Sequence, residues 1–535
     1  MTRDGGEARG LAPDRGTSRR AFLGLGALGV AGAAVGAAAG CSSNSGPPAA
    51  GATPSSRTAA GRRSVPENSL PGDKHWEIRH LGSARAIEGY ASAASVLAGE
   101  PFQLFVSTTS SGFRVSAFRL GWYGGAGARK VWQSGPLRGH RQNTPGLTGS
   151  TNTVQTDWGP VIEVPTDDWP AGSYLLRLDA DSGAQRYVPV TIRSASTSGK
   201  IVLKNCVATW QAYNTWGGYD LYIGPGQSYA NRSLAVSLDR PYDMNGADMF
   251  LTYERNAVKL AESMGLPLAY VTGMDVAADP HLLDGASALI SLGHDEYWTP
   301  GERAHVTAAR DAGVNLAFLG ANAMFRRIRL DATRLGASRL VICYKTSYAQ
   351  DPMYGVDNSL VTSDWREPPV PDPESSLIGT IYEGYPAVAP YLVTSPHSWV
   401  FAGTGVPAGT GFDNLVGIEY DRVNPAYPVP RPIQVLSHSP LVCQGASSFA
   451  DSAYYTHPGG AGVFSSGTMR WVEAIYGDSP HGISGRASAF VKQVTANVLR
   501  AFADGPAAAR YPAHDNLEAT HEYVGDPIGN PANLQ

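Results

Sequence analysis

The chain has 535 residues, a length that allows roughly two to four domains of ordinary size. Hydrophobic residues make up 43% of it, so it can bury sizeable cores, and charged residues make up only 16%. The formal net charge of −4 excludes the basic surface expected of a nucleic-acid-binding protein. Four cysteines in so long a chain exclude a small disulfide-rich domain.

The first 41 residues have the pattern of an export signal. Residues 17–23 read TSRRAFL, which resembles the twin-arginine signal of bacterial proteins that are exported after folding. Residues 21–40 form a mildly apolar run, too rich in Gly and Ala for a permanent transmembrane helix. A general secretory signal with a basic start is the alternative, and it also means export.

The apolar run ends at Cys41. The residues before it, Ala38, Ala39 and Gly40, resemble a lipobox, in which the cysteine becomes the lipid-carrying first residue of the mature chain. Cleavage at an Ala-x-Ala site is the alternative. Residues 42–75 are rich in Ser, Gly, Pro and Ala and predict a disordered tether. We therefore expect a secreted protein or a lipid-anchored one of the cell envelope, with membrane contact only through the anchor.

Residues 76–195 show a period of two, with Gly, Pro and Asn between the alternating stretches. Residues 101–108 (PFQLFVST), 173–180 (SYLLRLDA) and 185–193 (QRYVPVTIR) are examples. Alternating β-branched and aromatic residues at short spacing predict the antiparallel strands of an immunoglobulin-like β-sandwich. Nothing in this region indicates catalysis.

From residue 200 to residue 502 the period changes to that of an α/β domain. Short apolar strands at residues 201–205, 286–293 and 314–320 alternate with helical patterns at residues 256–265 and 300–312. Strands and helices in this order predict βαβ units and a parallel sheet.

Two further parts follow within and after this domain. Residues 340–440 predict a β-rich insertion, and residues 503–535, which lack periodicity, predict an extended C-terminal tail. The fold class expected for the whole chain is therefore all-β followed by α/β. The three cysteines of this part, Cys206, Cys343 and Cys443, fit no zinc-binding spacing, and we expect buried structural thiols.

Polar side chains follow the strand at residues 286–293. In an open parallel sheet, ligands bind beyond the carboxyl ends of the strands, and the run His294, Asp295, Glu296, Tyr297, Trp298 stands at such an end. All five side chains can donate, accept or coordinate, so we predict a functional turn. The alternative is structural: Asp295 caps a helix and His294 satisfies a backbone carbonyl.

Aromatic residues crowd the segment around Gly217 and Gly218. One interpretation is an aromatic wall over the crevice that binds an apolar or sugar-like ligand, and the other is a loop packed by its own aromatic side chains. The residues that would line a substrate, from this segment and from the turn, are Trp210, Tyr213, Trp216 and Trp298.

Five segments together resemble the C-terminal domain of the large (β) subunit of N,N-dimethylformamidase and its relatives. The resemblance covers residues 201–502 and implies a class I glutamine-amidotransferase-like, flavodoxin-like α/β fold. The segments are VLKNCVATWQAYNTWGGYDLY, SLGHDEYWT, LAFLGANAMFRR, VGIEYDR and GAGVFSSGTMRW.

The resemblance also implies hydrolysis of a small amide at a mononuclear iron held by tyrosine and glutamate oxygens. Phenolate and carboxylate are hard ligands that suit ferric iron, a Lewis acid that polarises a carbonyl. Carried over to this chain, Tyr297 is a candidate iron ligand, and Glu296 is a second ligand or the general base. The family more often has Pro where this chain has Asp295, which changes the loop.

The resemblance also implies a further carboxylate ligand, further catalytic residues and a second tyrosine ligand. Glu419 is a candidate carboxylate ligand, and His294, Asp295 and Asn322 are candidate catalytic residues that polarise the substrate or orient water. The second tyrosine ligand stays open, because Tyr213, Tyr253 and Tyr270 all lie near predicted strand ends. We include Tyr270 among the candidate ligands because it lies near a predicted strand end.

Two hypotheses about function follow. The first is an exported, iron-dependent hydrolase that acts on the C–N bond of a small amide. The second is a non-catalytic envelope protein of the same fold that binds a small molecule or a glycan. Serine and zinc chemistries are not favoured, because the sequence has neither a G-x-S-x-G elbow nor an H-E-x-x-H pair.

Overall fold

The computed structural model describes residues 66–477 and 479–520. The predicted signal at residues 1–41, with Cys41, and the predicted tether up to residue 65 lie outside them. The described chain is rich in sheet and has few helices, in agreement with an all-β part followed by an α/β part.

The first part has two sheets that share one core, and Gly146–Thr148 and Thr153–Gln155 pair in a separate two-stranded sheet. One sheet has the order β1-β3-β9, and the other has the order β2-β11-β10-β4-β5, with β6 paired to β4. Apolar residues from both sheets, such as Val106 and Leu176, form a common buried cluster. The strands are β1 (Ile87–Ala91), β2 (Ser95–Leu97), β3 (Phe102–Thr108), β4 (Gly112–Leu120), β5 (Ala128–Gln133), β6 (Leu137–Arg138), β7 (Gly146–Thr148), β8 (Thr153–Gln155), β9 (Ile162–Val164), β10 (Gly172–Ala180) and β11 (Gln185–Arg193).

The second part contains the remaining strands and the α-helices. The strands are β12 (Ile201–Asn205), β13 (Ala235–Ser237), β14 (Leu268–Thr272), β15 (Ala288–Ser291), β16 (Tyr297–Trp298), β17 (Asn315–Phe318), β18 (Arg326–Arg327), β19 (Arg329–Thr333), β20 (Gly336–Ile342), β21 (Ile381–Leu392), β22 (Gly411–Arg422), β23 (Ile433–Cys443), β24 (Ala446–Thr456) and β25 (Gly462–Ser465). The helices are α1 (Val207–Ala212), α2 (Asp248–Tyr253), α3 (Arg255–Ser263), α4 (Gly273–Ala278), α5 (Pro300–Asp311), α6 (Ser375–Ile378), α7 (Trp471–Ala474), α8 (Gly485–Ala503) and α9 (Leu517–Thr520).

A seven-stranded sheet of order β14-β12-β15-β17-β25-β24-β23 forms the centre of the second part. The first five strands are parallel, β24 pairs antiparallel with β25, and β23 pairs antiparallel with β24. Because the parallel strands run the same way, their carboxyl ends meet at one edge, where the turn after β15 lies. The region predicted as a β-rich insertion holds the hairpin β21–β22, but its last strand, β23, belongs to the central sheet.

At both ends of the described chain, segments whose composition predicts no packing make contacts with the folded domains. Glu67 pairs with Arg129 at 2.7 Å, and the side chain of Asn68 accepts from the backbone of Trp122 at 2.8 Å. Folded structure therefore begins by Glu67, inside the segment predicted as tether. At the other end, Asn516 accepts from the backbone of Val435 at 2.7 Å, so the predicted tail follows the sheet as far as the end of α9.

Cys206, Cys343 and Cys443 are buried and free, as expected of structural thiols. Across the part of the chain that the structure describes, we find no helix with both the length and the apolar character that a membrane span requires.

A buried ion pair joins the two parts. Arg119 of β4 donates to Glu262 of α3 at 2.5 Å, and the hydroxyl of Tyr270 in β14 donates to the same carboxylate. All three side chains are almost inaccessible to solvent. Burial raises the pKa of Tyr270 well above its ordinary value, and the charge of Glu262 adds to the effect, so this phenol stays a neutral donor.

Removing Arg119 should destabilise the whole protein. The change Arg119→Met leaves the Glu262 charge buried without its cation, which costs about 3–5 kcal/mol in comparable pairs. We expect a loss of that size in the free energy of unfolding, measured by urea denaturation. Arg114→Met is the matched control on the same strand, because Arg114 is exposed, and it should change stability by less than about 0.5 kcal/mol. Equal stability of the two variants would contradict the assigned role.

Candidate active site

The candidate site is built on the turn that follows β15. Gly293 has φ +58°, and a Cβ there would lie 2.0 Å from the carbonyl oxygen of Tyr253, so only glycine fits. The turn ends at α5, where the hydroxyl of Thr299 accepts from the backbone of Glu302 at 3.0 Å and Pro300 takes the first helical position. Both ends of the turn are thus held in place.

Glu296 is the centre of the site. Its side chain is fully buried, and it accepts hydrogen bonds from the hydroxyls of Tyr213 at 2.5 Å and Tyr222 at 2.6 Å. The two phenol oxygens are 3.0 Å apart, and the hydroxyl of Tyr297 donates to Tyr222 at 2.8 Å. Three phenols and one carboxylate therefore form one cluster of oxygen atoms.

The members of this cluster differ in burial. Tyr297 is 1% exposed, whereas Tyr213 and Tyr222 are only partly buried. Burial raises the pKa of Tyr297 well above its ordinary value, with a further contribution from the Glu296 charge. Tyr213 and Tyr222 therefore form the more exposed side of the cluster.

Two buried basic side chains, Arg326 and Lys345, flank the cluster. Strand β18 pairs with β16, opposite Tyr297, and this register brings the Nε of Arg326 to 3.2 Å from Glu296. Arg326 also pairs with Asp364. The Nζ of Lys345 lies 3.0 Å from the centre of the Tyr222 ring and donates to the carbonyl of Leu221 at 2.6 Å. Burial and the nearby Arg326 charge hold the pKa of Lys345 well below its ordinary value.

His294 also lies at the cluster. Its Nε2 is 3.6 Å from a carboxylate oxygen of Glu296, and its ring is 5.0 Å from that of Tyr213 between centroids. The ring of Tyr253 packs edge-on against His294 at 5.6 Å. The structure thus brings the predicted residues His294, Glu296, Tyr297 and Tyr213 together.

Asp295 and Trp298 face the opposite way, and this corrects the roles in catalysis and substrate lining expected for them. The carboxylate of Asp295 pairs with Lys204 of β12 at 2.6 Å and accepts from Ser291 at 2.6 Å. Lys204 also pairs with Glu302 at 2.5 Å and lies 3.6 Å from the centre of the Trp298 ring. These five side chains form a buried structural network that ties the turn to the sheet.

Asn322 and Glu419 form a second polar group, at the end of β17. The amide of Asn322 donates to Glu419 at 2.7 Å, and its backbone N–H donates to Asp421 at 2.7 Å. Burial raises the pKa of Asp421 to about 7. The buried side-chain oxygen of Asn322 has no hydrogen-bond partner among the described residues.

Three other predicted residues lie elsewhere. Tyr270 contacts Glu262 at the boundary with the sandwich, so the structure does not bring it to Glu296. Trp210 donates to Glu254 at 2.7 Å, and Trp216 donates to Glu88 at 2.8 Å. Both indoles are buried in packing contacts rather than lining an open wall.

Sequence reasoning missed Arg326 and Lys345 as members of the site, and it placed Tyr222 only in the aromatic segment around Gly217 and Gly218. Tyr222 and Arg326 lie within two of the segments that carry the family resemblance, which was the signal available for them. Lys345 follows β20 and has no distinguishing motif.

The side chains of this cluster fit iron by their chemistry. In residues 66–477 and 479–520, no group of three or more His, Cys, Asp or Glu side chains could hold a metal ion. A metal at Glu296 would therefore need phenol oxygens among its ligands, and the phenols of Tyr213 and Tyr222 contact Glu296 directly. Phenolate and carboxylate oxygens are the hard donors that ferric iron prefers.

Comparisons with curated proteins and with solved structures say little about this chain. No curated protein matches the sequence. Among solved structures, cycloisomaltooligosaccharide glucanotransferase of Paenibacillus sp., in complex with cycloisomaltoheptaose, is similar at 12% identity over 24% of this chain and 17% of that chain. The TM-score is 0.14, so this likeness says nothing about fold or function.

The family model for the N,N-dimethylformamidase beta subunit-like C-terminal region matches residues 114–482. The match begins in β4 of the sandwich, earlier than residue 201, where the resemblance is expected to start. It covers more than half of the chain and confirms the resemblance. This protein therefore belongs to the N,N-dimethylformamidase beta subunit-like family.

Proposed function

We propose that this protein is an iron-dependent hydrolase that cleaves the C–N bond of a small amide. The observation that supports the proposal best is the set of phenol hydroxyls that converge on the buried carboxylate of Glu296 at the carboxyl edge of the sheet. Family membership supports the same class of reaction.

In this proposal Glu296, Tyr213 and Tyr222 hold the metal. They are the three oxygen donors in direct contact with one another, and Tyr297 reaches them through Tyr222. Ferric iron bound there supplies a Lewis acid that polarises an amide carbonyl. Tyr297, expected to be a ligand itself, instead orients Tyr222.

The chain's other residues bind and orient. Arg326 fixes the rotamer of Glu296 and balances its charge. His294, close to the same carboxylate, carries a proton to or from the reacting groups. Asn322 turns its unpartnered side-chain oxygen to an N–H of the substrate, while its amide group is held by Glu419.

The finer fold assignments belong to the same proposal. We assign the sandwich to the immunoglobulin-like type because its two sheets share one core. We assign the second domain to the class I glutamine-amidotransferase-like, flavodoxin-like type because its five parallel strands carry the site at their carboxyl edge.

The ligand-binding alternative has weaker support. It depends on an open aromatic wall around residues 210–222, and the indoles of Trp210 and Trp216 are engaged in buried hydrogen bonds instead.

The iron content of purified protein tests the proposal. We expect about one iron per chain and a visible phenolate-to-iron charge-transfer band. Tyr213→Phe, Tyr222→Phe and Glu296→Gln should each lower iron content at least about tenfold, because each removes a ligand. Tyr270→Phe removes a buried phenol outside the cluster and should keep the iron. Tyr297→Phe should keep it too, with a shifted band. Wild-type iron content in Tyr213→Phe and Tyr222→Phe would refute this ligand set.

Hydrolysis can be followed by amine release from a panel of small N-alkyl amides. We expect His294→Gln to lower kcat by about 10²–10⁴, the range for loss of a proton-transferring group, while iron is retained. His305→Gln is the control, since His305 contacts the carbonyl of Val276 in α4 and lies outside the cluster. An iron-loaded wild type that releases amine from no amide would contradict the proposed reaction.

We also propose export by the twin-arginine route and a lipid anchor at Cys41. Replacing Arg19 and Arg20 by Lys should hold the protein in the cytoplasm, because the receptor reads the arginine pair. Cys41→Ser should shift the exported protein from the membrane fraction to the soluble one, because the lipid attachment is lost. Fractionation and immunoblotting measure both. A membrane-bound Cys41→Ser variant would exclude the anchor.

A further inference from the structure

Two of the three phenols of the cluster lie on one connecting segment. Residues 213–234, called here the tyrosine loop, run from the end of α1 to β13 and carry Tyr213 and Tyr222. Glu296 stands on a short turn that is held at both ends. The distance between the phenols and the carboxylate therefore depends on what holds the tyrosine loop.

The second domain holds part of this loop. Arg240 donates to the carbonyls of Asn214 at 2.8 Å and Tyr219 at 2.9 Å. Lys345 donates to the carbonyl of Leu221. These bonds fix the backbone close to the tyrosines.

The sandwich holds the loop at a first point, between the two tyrosines. The indole of Trp216 donates to Glu88 of β1 at 2.8 Å and packs edge-on against Trp158 at 5.9 Å. Gly217 has φ +82°, and a Cβ there would lie 2.6 Å from the side chain of Val154 in β8. The loop thus lies against the sandwich at a position where only glycine fits.

The second point follows Tyr222. The side chain of Asn152, in the turn between β7 and β8, donates to the carbonyls of Asn231 and Arg232 at 3.2 Å each. In return, the hydroxyl of Ser233 donates to the carbonyl of Asn152 at 2.6 Å. The backbone of Leu234 donates to that of Thr151 at 2.8 Å. The sandwich therefore contacts the loop on both sides of Tyr222.

We propose that the sandwich is a working part of the active site, and that Glu88 and Asn152 are positioning residues that hold the phenols of Tyr213 and Tyr222 against Glu296. The significance of this role for catalysis rests on the proposed function, but the holding of the loop does not. The family match at residues 114–482 includes Asn152 together with the tyrosine loop, whereas Glu88 lies before it. The sandwich is then more than a carrier for the α/β domain.

Hydrogen exchange of the metal-free full-length chain tests the mechanical half of this proposal. Glu88→Ala and Asn152→Gly each remove one sandwich contact, and Gly tolerates the φ of +52° at residue 152. We expect the amides of residues 221–223 to exchange at least about tenfold faster in both variants, because the loop opens locally. Amides of β15 should exchange at the wild-type rate, which shows that the domain itself stays folded.

Two further variants serve as controls. Glu88→Gln keeps an acceptor for Trp216 and should restore wild-type exchange. Glu100→Ala removes a sandwich carboxylate that accepts from the backbone of Leu97, away from the loop, and should leave exchange at residues 221–223 unchanged.

The iron-loaded protein tests the positioning half. We expect lower iron content and a weakened charge-transfer band in Glu88→Ala and Asn152→Gly, with recovery in Glu88→Gln. Wild-type exchange rates in both Glu88→Ala and Asn152→Gly would overturn the proposal. Faster exchange in these variants with unchanged iron content and an unchanged charge-transfer band would also overturn it. If the wild type binds no iron, the proposed function fails by itself, and exchange at residues 221–223 alone decides whether the sandwich holds the phenols.

Discussion

The buried carboxylate of Glu296 is the constraint on which the rest of the site depends. Moving a carboxylate out of water costs several kcal/mol unless charge and hydrogen bonds compensate for it. Here the compensation comes from Arg326 in β18 and from the hydroxyls of Tyr213 and Tyr222 in the loop after α1. The donors come from two elements that lie about 100 positions apart in the chain, so the cluster exists only when the elements around the sheet edge are assembled. The same convergence of hard oxygen atoms makes the site suitable for a highly charged cation.

Much of this arrangement could be predicted from local patterns. The order of strands and helices predicts a parallel sheet, and the rule that ligands bind beyond the carboxyl ends of its strands selects the turn after β15. Within that turn, however, neighbouring side chains point to opposite sides. Asp295 turns to Lys204 of the adjacent strand, whereas Glu296 turns to the phenols. The directions of the Asp295 and Glu296 side chains depend on partners that are far away in the sequence. The local sequence does not reveal these partners.

The residues that the sequence left open are those placed by long-range contacts. Tyr222 and Lys345 are 123 positions apart in the sequence, yet the Nζ of Lys345 lies 3.0 Å from the centre of the Tyr222 ring. Tyr270, chosen for its place near a strand end, belongs to the ion pair between the two parts instead. The ends of the folded region are also set by long-range contacts. Glu67 and Asn516 are held by partners that composition alone does not indicate. Composition identifies these segments as polar or low in complexity, but it does not show whether they pack against the folded domains.

The hydrogen bond between Trp216 and Glu88 spans 128 positions of the chain. Contacts of such separation form slowly, because a long loop must close before they contribute. During synthesis, however, the amino-terminal domain folds first. The sandwich leaves the ribosome before residues 213–234, so it can fold first and offer them a folded surface. The order of the domains along the chain matches the order of assembly, and a circular permutant that made the α/β domain first would have to build its phenol cluster without a template.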